Sequence, residues 1–316
     1  MAKYITSKVI QAVVVLFIIS FATFMLLSYM PGDMAVAMAG DATPAQVAAM
    51  RAEMGLDRPV SVQFVDWLSK AVRGDFGYSY YYNDEVSHVI LKPLERTMIL
   101  GVVSLAISFF VGIFLGVIAG MYRGTWMDDL ISVIANMGIA APQFWIGIIL
   151  IYLLSMQNGY FPIEGYVDPY RDFGEFVRYS VLPVITLSIP SVAAITRQAR
   201  SAVLETIGQD YVRTARAKGL KKSIIIIKHV LKNAMMPVIT LLGLRVRLVF
   251  GGSVIVEQIF NINGMGRVMS KAINMQDTNM AQCCVLIIGI VVIISTLMVD
   301  ILYGVLDPRI RDKKGE

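Results

Sequence analysis

Six long apolar segments are the feature that most restricts how this chain can fold. They lie near residues 9–29, 98–121, 131–156, 179–196, 234–256 and 283–306. About 20 helical residues are needed to cross the ~30 Å hydrocarbon core of a bilayer. The 316-residue chain is 56% hydrophobic and only 16% charged, whereas an average soluble domain is about 25% charged. We therefore predict an all-α membrane protein with six transmembrane helices.

The first and fourth segments differ from the others. The first follows Lys3 and Lys8, as in a secretory signal, but its apolar core is longer than the roughly 7–15 residues of a signal peptide. We expect it to remain as a span. The fourth carries Pro183 and Pro190, which favour a kink. Irregular backbone in a bilayer has to be covered by protein or water, so we expect this helix inside the bundle.

The distribution of Lys and Arg predicts the side of the membrane on which each loop lies. Residues 197–233 carry nine Lys or Arg against two acidic residues, and the tail 307–316 carries four Lys or Arg. The loops 157–178 and 257–282 carry two each. Because cytoplasmic loops are enriched in Lys and Arg, both termini and the 197–233 loop are predicted to be cytoplasmic.

The predicted spans divide the chain into four regions. These are an N-terminal transmembrane helix (1–30), an extracytoplasmic loop with short helices (31–97), a transmembrane core (98–306) and a cytoplasmic tail (307–316). In the outer loop, Thr43 is predicted to cap a helix that begins at Pro44 and ends at Gly55, with Gln46 completing a capping box.

A second helix in the outer loop is predicted to be amphipathic. Its apolar stripe consists of Phe64, Val65, Trp67, Leu68, Ala71 and Val72. Either it packs on neighbouring loops, or it lies on the outer membrane surface with Trp67 at headgroup level. Four tyrosines follow, at Tyr78, Tyr80, Tyr81 and Tyr82. They are consistent with an interfacial belt or with a patch that docks a partner.

The cytoplasmic loop contains the short basic segment "DYVRTARAKGL" at residues 210–220. Asp210 is predicted to cap a two-turn helix, and Gly219 to end it in the left-handed conformation. Ser223 is predicted to begin a second helix. Ile224, Ile227 and Leu231 then recur along one of its faces.

Charge alone leaves three interpretations of this loop open. It could be attracted to anionic lipid. It could be a basic helix-turn-helix that binds nucleic acid, which attachment to the membrane at both ends disfavours. Alternatively, it could dock into a soluble partner. Ala215 and Ala217 would then permit close approach, and Arg213, Arg216 and Lys218 would supply charge-assisted contacts.

Several motifs in order resemble the inner-membrane permeases of binding-protein-dependent ABC importers, specifically the dipeptide, oligopeptide and nickel group. Besides "DYVRTARAKGL", they are "MPGD" (30–33), "GLDRPVSVQFVDWL" (55–68), "GDFGYS" (74–79), "APQFWIG" (141–147), "KHVLKNAMMPVI" (228–239), "GGSVIVEQIF" (251–260), "GMGR" (264–267) and "DILYGVLDPRIR" (300–311). The resemblance covers nearly the whole chain.

This resemblance implies that the basic loop forms a coupling helix, which in that family sits in a groove of the ATP-binding subunit. The residues it assigns to the contact are Asp210, Tyr211, Arg213, Ala215, Arg216, Ala217, Lys218 and Gly219. One departure is that Arg213 stands where the broad family pattern has Glu, and another is that "FNINGMG" replaces an expected Pro-Gly-Leu-Gly turn. The implied assembly has two permeases, two ATPases and an extracytoplasmic peptide-binding protein. This chain would be one permease, paired with a related but different one.

Catalytic and cofactor motifs are absent from the sequence. The dipeptide Gly-Lys does not occur, so no phosphate-binding loop is present, and neither is a His-Glu-x-x-His motif. The two histidines, His88 and His229, lie outside the predicted spans. We therefore expect a non-catalytic subunit that binds no cofactor itself, with ATP and Mg on the partner subunits and no role in binding nucleic acid.

Arg245 and Arg247 fall within the fifth apolar segment. Charged residues there cost about 2.5–3.5 kcal/mol on insertion scales and so invite a functional explanation. Residues two apart on a helix are separated by about 200°, so the two face different directions. Either one lines the pathway and contacts a peptide carboxylate, or both are structural, by snorkelling or by pairing with Asp300.

The sequence thus predicts a permease that moves oligopeptides or dipeptides across a bacterial cytoplasmic membrane. A nickel or nickel-chelate importer is the alternative within the same family. A secondary transporter driven by an ion gradient is the alternative from another class. It would need carboxylates or histidines buried in mid-span, where the sequence offers only the off-centre Asp300.

Overall fold

The computed structural model describes residues 2–30, 35–36, 40 and 42–306, with side chains except for 2–5, 222 and 300–306. The predicted tail 307–316 and the side chain of Asp300 lie outside this part. The α-helices are α1 (Ala2–Ser28), α2 (Pro44–Glu53), α3 (Val60–Ala71), α4 (Val86–Val89), α5 (Leu91–Met121), α6 (Trp126–Ala140), α7 (Gln143–Leu150), α8 (Phe173–Ile207), α9 (Asp210–Ala217), α10 (Lys222–Ile224), α11 (Lys232–Ile259), α12 (Met265–Asn274) and α13 (Thr278–Leu306). Two π-helical segments, Ile151–Gln157 and Ile225–Leu231, and an antiparallel pair of short strands, β1 (Tyr78–Ser79) and β2 (Asp84–Glu85), complete the elements.

Within the described chain, five helical stretches are long and apolar enough to cross a membrane. They are Thr6–Ser28, Val86–Met121, Phe173–Ile207, Ile225–Ile259 and Thr278–Val299. A sixth span exists only if Trp126–Ala140 and Gln143–Gln157 are counted together, because these helices meet at a bend of 107°. The prediction of one continuous third helix over 131–156 is therefore wrong.

Pro142 explains this bend. A residue before proline is pushed out of the helical region, and Ala141 is extended, with φ −71° and ψ 129°. Pro142 itself is the residue immediately before α7. A count of apolar residues runs straight through "IAAPQFW" because it does not register this backbone restriction.

The predicted position of the fourth span inside the bundle is confirmed. α8 runs without interruption through Pro183 and Pro190. The apolar window of this span is 67% buried, whereas the other four candidate spans are 11–33% buried. Pro190 cannot donate to the carbonyl oxygen of Thr186, and the side-chain amide of Gln143 donates to that oxygen instead, at 3.5 Å.

One compact unit consists of residues 1–97 and 263–293, and it contains the predicted capping signals. The backbone N–H of Thr43 donates to Oε1 of Gln46 at 2.8 Å, and Pro44 is the first helical residue of α2. Gly55 ends the helix in the left-handed region, with φ 70°. The predicted start and end of this helix are therefore confirmed.

In the same unit, α3 buries Phe64, Trp67 and Ala71 against Phe24 of α1. Trp67 is 7% exposed, so this residue is packed against protein rather than lying at the membrane surface. Val65 and Val72, which the predicted stripe included, are exposed. The buried stripe is thus narrower than the apolar pattern, since only one face of α3 meets α1.

The second compact unit consists of residues 98–262 and 294–316, of which the structure describes those up to 306. In this unit, α5 and α8 approach each other closely. A Cβ added to Gly112 would lie 2.7 Å from Ile195, one at Gly116 would lie 2.5 Å from the carbonyl oxygen of Thr196, and one at Gly120 would lie 2.7 Å from Val203. Small residues four apart let helix backbones approach closely in a membrane, so α5 and α8 form one tightly packed pair.

Candidate coupling interface and transport pathway

The predicted coupling residues lie on α9 and on the turn that ends it. The helix begins one residue earlier than predicted, because Gln209 takes the extended N-cap conformation, with φ −72° and ψ 149°. Asp210 is the first helical residue, so its prediction as the cap is wrong. A carboxylate in the first turn still favours the helix N-terminus, and Asp210 also lies 3.5 Å from the guanidinium of Arg213.

The predicted role of Gly219 in ending α9 is confirmed. It adopts φ 76°, a region that a residue with a Cβ enters only at a cost. Its N–H donates to the carbonyl oxygen of Arg216 at 2.9 Å, and the N–H of Leu220 donates to that of Ala215 at 3.3 Å. These two bonds form a Schellman motif, which fixes the direction in which the chain leaves α9.

α9 has a buried face and an exposed face. Val212 is 0% exposed and Ala215 is 6% exposed, and both pack with Ala202 and Val203 of α8. Of the two small residues that were predicted to admit a partner, Ala215 therefore faces its own chain and only Ala217 is accessible. The exposed members of the predicted coupling set are Asp210, Tyr211, Arg213, Arg216, Ala217, Lys218 and Gly219.

The helical stretch that follows differs from the prediction. Ser223 lies inside it rather than at its start, because α10 begins at Lys222. Ile227 is 67% exposed, whereas Ile225 and Val230 are buried. The reason is the π-helical segment, since hydrogen bonds from residue i to i+5 bring side chains five apart onto one face. A sequence pattern based on α-helical spacing cannot register this change.

A side-chain hydrogen bond also joins α9 to α11. The amide of Asn233 donates to the hydroxyl of Tyr211 at 2.8 Å. Together with the packing of Val212 on α8, it attaches the short helix to the two long helices that precede and follow it in the sequence, α8 and α11. These contacts hold the exposed basic face of α9 in a fixed position on α8 and α11.

Sequence reasoning missed an ion pair near the part of α8 that contacts α9. Arg200 of α8 binds Asp128 of α6 through Nε and Nη2, at 2.5 Å and 2.8 Å. Asp128 is 2% exposed. The signal that could have found it is an acidic residue next to an apolar segment, but no local spacing connects residues 72 positions apart.

The two predicted pathway arginines lie in mid-helix in α11, as expected. Arg245 is partly buried, and its Nε has no hydrogen-bond partner. Arg247 is exposed. Among the described side chains, neither arginine forms an ion pair.

Comparison with known proteins identifies the family. Residues 1–101 match the N-terminal part, and residues 112–312 the main part, of the family described as binding-protein-dependent transport system inner membrane component. A protein of Brucella suis biovar 1 that is named a peptide permease is 37% identical over 98% of this chain and 99% of its own length. The glutathione transport system permease protein GsiC of Escherichia coli is 35% identical over 99% of this chain and 100% of its own length.

Solved structures agree in fold. The methionine ABC transporter MetNI in inward-facing conformations matches with a TM-score of 0.54 and 16% identity, over 69% of this chain and 96% of that chain. An amino acid ABC transporter determined with histidines matches with a TM-score of 0.51 and 17% identity, over 71% and 94%. The chain therefore belongs to the binding-protein-dependent transport system inner membrane component family, and it is a multi-pass permease subunit of an ABC importer in a bacterial inner membrane.

Proposed function

We propose that this chain forms half of the path by which an ABC importer moves peptides into the cytoplasm, and that α9 docks into a separate ATPase subunit. Support for peptides as the cargo comes from relatives that match this chain over nearly its full length. Their names describe peptide or glutathione transport. Family membership also favours ATP over an ion gradient as the energy source. The observation that carries the docking assignment is the exposed basic face of α9 above a buried face.

The buried face separates docking from simple attraction to lipid. A loop held near anionic headgroups needs Lys and Arg but no fixed shape. α9 instead has Val212 and Ala215 in a packed cluster and a Schellman turn at Gly219. A short helix fixed in this way can transmit the movement of a bound partner to the spans. Its arginines can form charge-assisted hydrogen bonds with that partner.

The contacts inside the unit suggest how motion at α9 reaches the spans. α9 packs on Ala202 and Val203 of α8, and Val203 also lies against Gly120 of α5. Arg200 ties the same stretch of α8 to α6. These helices would move together when the ATPases close. Alternating access would then be a shift between two packed arrangements of the bundle.

The proposed assembly contains a second, related permease, two ATPase subunits that bind ATP and Mg, and a peptide-binding protein outside the membrane. Both termini, the tail 307–316 and α9 are assigned to the cytoplasm, and the 31–97 loop to the outside. The Lys and Arg distribution of the loops supports this orientation. Residues 98–306 would form the permease core, and Arg245 or Arg247 would line its pathway.

Charge reversal at two positions of the cytoplasmic loop tests the docking. The importer is purified in mild detergent with its copurifying subunits, and uptake is measured in cells at matched membrane levels. Arg216→Glu on the exposed face of α9 should release the ATPase subunits and lower peptide uptake at least tenfold. Lys228→Glu is the matched control, because Lys228 is exposed in the same loop but lies after α9. Equal losses of ATPase copurification and peptide uptake in both variants would instead support attraction of the loop to lipid and contradict the docking.

A further inference from the structure

A cavity of about 790 Å³ lies in the unit made of residues 1–97 and 263–293. Every described residue that lines it belongs to this unit. Its walls come from the ends of α1 and α2, one face of α3, β1, and the turn between α12 and α13. Sites for small molecules measure about 300–1,000 Å³, so this cavity is large enough for a ligand of that class.

Part of the lining is buried, apolar and aromatic. Phe24, Trp67 and Ala281 line the cavity and are buried, and the ring centroids of Phe24 and Trp67 lie 6.4 Å apart. The indole N–H of Trp67 is a buried donor that has no acceptor among the described residues. An unmet donor of this kind costs free energy. A ligand that carries carbonyl oxygens would supply an acceptor.

Two exposed charges of opposite sign line the same cavity. Glu53 is the last residue of α2, and Lys70 lies on the lining face of α3. Within the described chain, neither forms an ion pair, with the other or with a third residue. The other charged residues of the lining have partners inside the unit: Arg51, Arg58, Asp66, Asp75 and Asp277. Glu53 and Lys70 are therefore available to a ligand.

We propose that this cavity binds a short zwitterionic peptide before transport, with Glu53 facing the ammonium group of the peptide and Lys70 facing its carboxylate. The buried rings hold an apolar side chain, and the indole N–H of Trp67 donates to a main-chain carbonyl oxygen. A few polar groups around an apolar lining fix the orientation of a ligand. This inference rests on the peptide import proposed above, and it adds a binding site apart from the predicted pathway arginines.

Photo-crosslinking tests where a peptide binds. The importer is purified with both permeases and the ATPase subunits but without the binding protein. The probe is a tripeptide with benzoylphenylalanine, a photoreactive aromatic residue, between two alanines. Mass spectrometry should locate the crosslink on residues that line the cavity. Competition by unlabelled Ala-Phe-Ala, in its free, N-acetylated and C-amidated forms, then gives the affinity for each form.

Single variants assign the two ends of the peptide. Glu53→Gln should weaken binding of the free tripeptide about tenfold, the factor of one charge-assisted hydrogen bond, and should leave binding of the N-acetylated form unchanged. Lys70→Gln should have the same effect on the free tripeptide and leave binding of the C-amidated form unchanged. Arg73→Gln is the matched control, because Arg73 is an exposed cation that follows α3 and does not line the cavity. It should bind all three forms as the wild type does.

Uptake of the same tripeptide by cells separates this site from peptide import itself. A crosslink outside the cavity, or none at all, in an importer that still takes up the tripeptide would refute the site while peptide import stands. Wild-type affinities in both Gln variants would refute it equally. If the wild type neither binds nor takes up the tripeptide, peptide import is refuted, and the site with it.

Discussion

Arg200 of α8 holds Asp128 of α6 at two points, with Nη2 lying 2.8 Å from Oδ2 and Nε lying 2.5 Å from Oδ1. The backbone N–H of Gly124 donates to the same carboxylate at 3.1 Å. Asp128 is buried, so its charge depends on these partners rather than on water. Because Arg200 lies three residues before Val203, the pair ties α6 to the part of α8 on which α9 rests.

Removing one partner of this ion pair should destabilise the permease more than removing both. Asp128→Ala leaves Arg200 without its carboxylate, and breaking a buried pair costs about 3–5 kcal/mol. Partial exposure of Arg200 places the expected loss at the lower end of that range. Thermal unfolding of the purified complex measures it.

The double variant Asp128→Ala with Arg200→Ala provides the matched comparison. Its loss of stability should be smaller than that of either single variant, because no charge is left without its partner. Arg200→Lys should be only partly tolerated, since Lys cannot form the two-point contact. Simple additivity of the single losses would show that the ion pair contributes nothing to joining α6 and α8.

The close approach of α5 and α8 predicts that Gly116 does not accept even one methyl group. In Gly116→Ala, the added Cβ would meet the carbonyl oxygen of Thr196 and the Cβ of Ala199 at 2.5 Å and 2.6 Å. The helices have to separate, and overpacking of this kind costs about 1–3 kcal/mol. We expect a lower unfolding temperature and reduced transport per ATP hydrolysed.

Gly208→Ala is the control for that change. Gly208 is exposed, has φ −75°, and an added Cβ would make only ordinary contacts beyond 3.4 Å. Its stability should stay within about 0.5 kcal/mol of the wild type. Similar losses of stability in both variants would mean that the packing of α5 on α8 is not the reason why position 116 requires glycine.

Asp277 predicts a pH dependence in the unit made of residues 1–97 and 263–293. It lies outside the apolar span Thr278–Val299, is 2% exposed, and accepts hydrogen bonds from Ser79 Oγ at 2.5 Å and from the N–H of Met280 at 3.1 Å. Burial raises the pKa of this carboxyl, against the lowering effect of hydrogen bonds from Ser79 and from the backbone of Met280 and Tyr81. The folded unit therefore holds this proton to higher pH than the unfolded chain does.

The sign of the effect follows from proton binding. Between the unfolded pKa and the raised folded pKa, the native state binds more protons, so stability falls as pH rises through that window. The unfolding midpoint should accordingly decrease from acidic toward neutral pH, and Asp277→Asn should flatten this slope. Asp66→Asn, which changes an exposed carboxylate of the same unit, should keep the slope. A wild-type midpoint that rises through the window would contradict the assignment.

Local chemistry in the sequence predicted several features because their causes are local. Thr43 with Gln46, Gly55 and Gly219 each mark a helix end through hydrogen bonds or a backbone angle within a few residues. The length of apolar runs likewise predicted the spans. The bend at Pro142 was missed because span prediction counted apolar side chains rather than backbone restrictions.

Features that depend on distant residues could not be predicted in the same way. Asp128 meets Arg200 only after α6 and α8 have packed, and Val65 is exposed although it is apolar. The glycines at 112, 116 and 120 were visible in "GIFLGVIAG" as a four-residue repeat. That pattern predicts a close helix contact but not which helix provides it.

The turn after α9 predicts a separation between ATP hydrolysis and transport. In Gly219→Pro, proline fixes φ near −65° and removes the N–H that donates to Arg216, whereas Gly219 has φ 76°. The exit of the chain from α9 would be redirected, and α9, the proposed docking helix, would no longer be held at a fixed angle. We expect peptide uptake to fall at least tenfold at normal membrane levels while the ATPase subunits continue to hydrolyse ATP. Gly219→Asn should keep coupled transport, because Asn tolerates the left-handed conformation and retains the N–H. Normal uptake by Gly219→Pro would show that the orientation of α9 is not needed to couple ATP hydrolysis to transport.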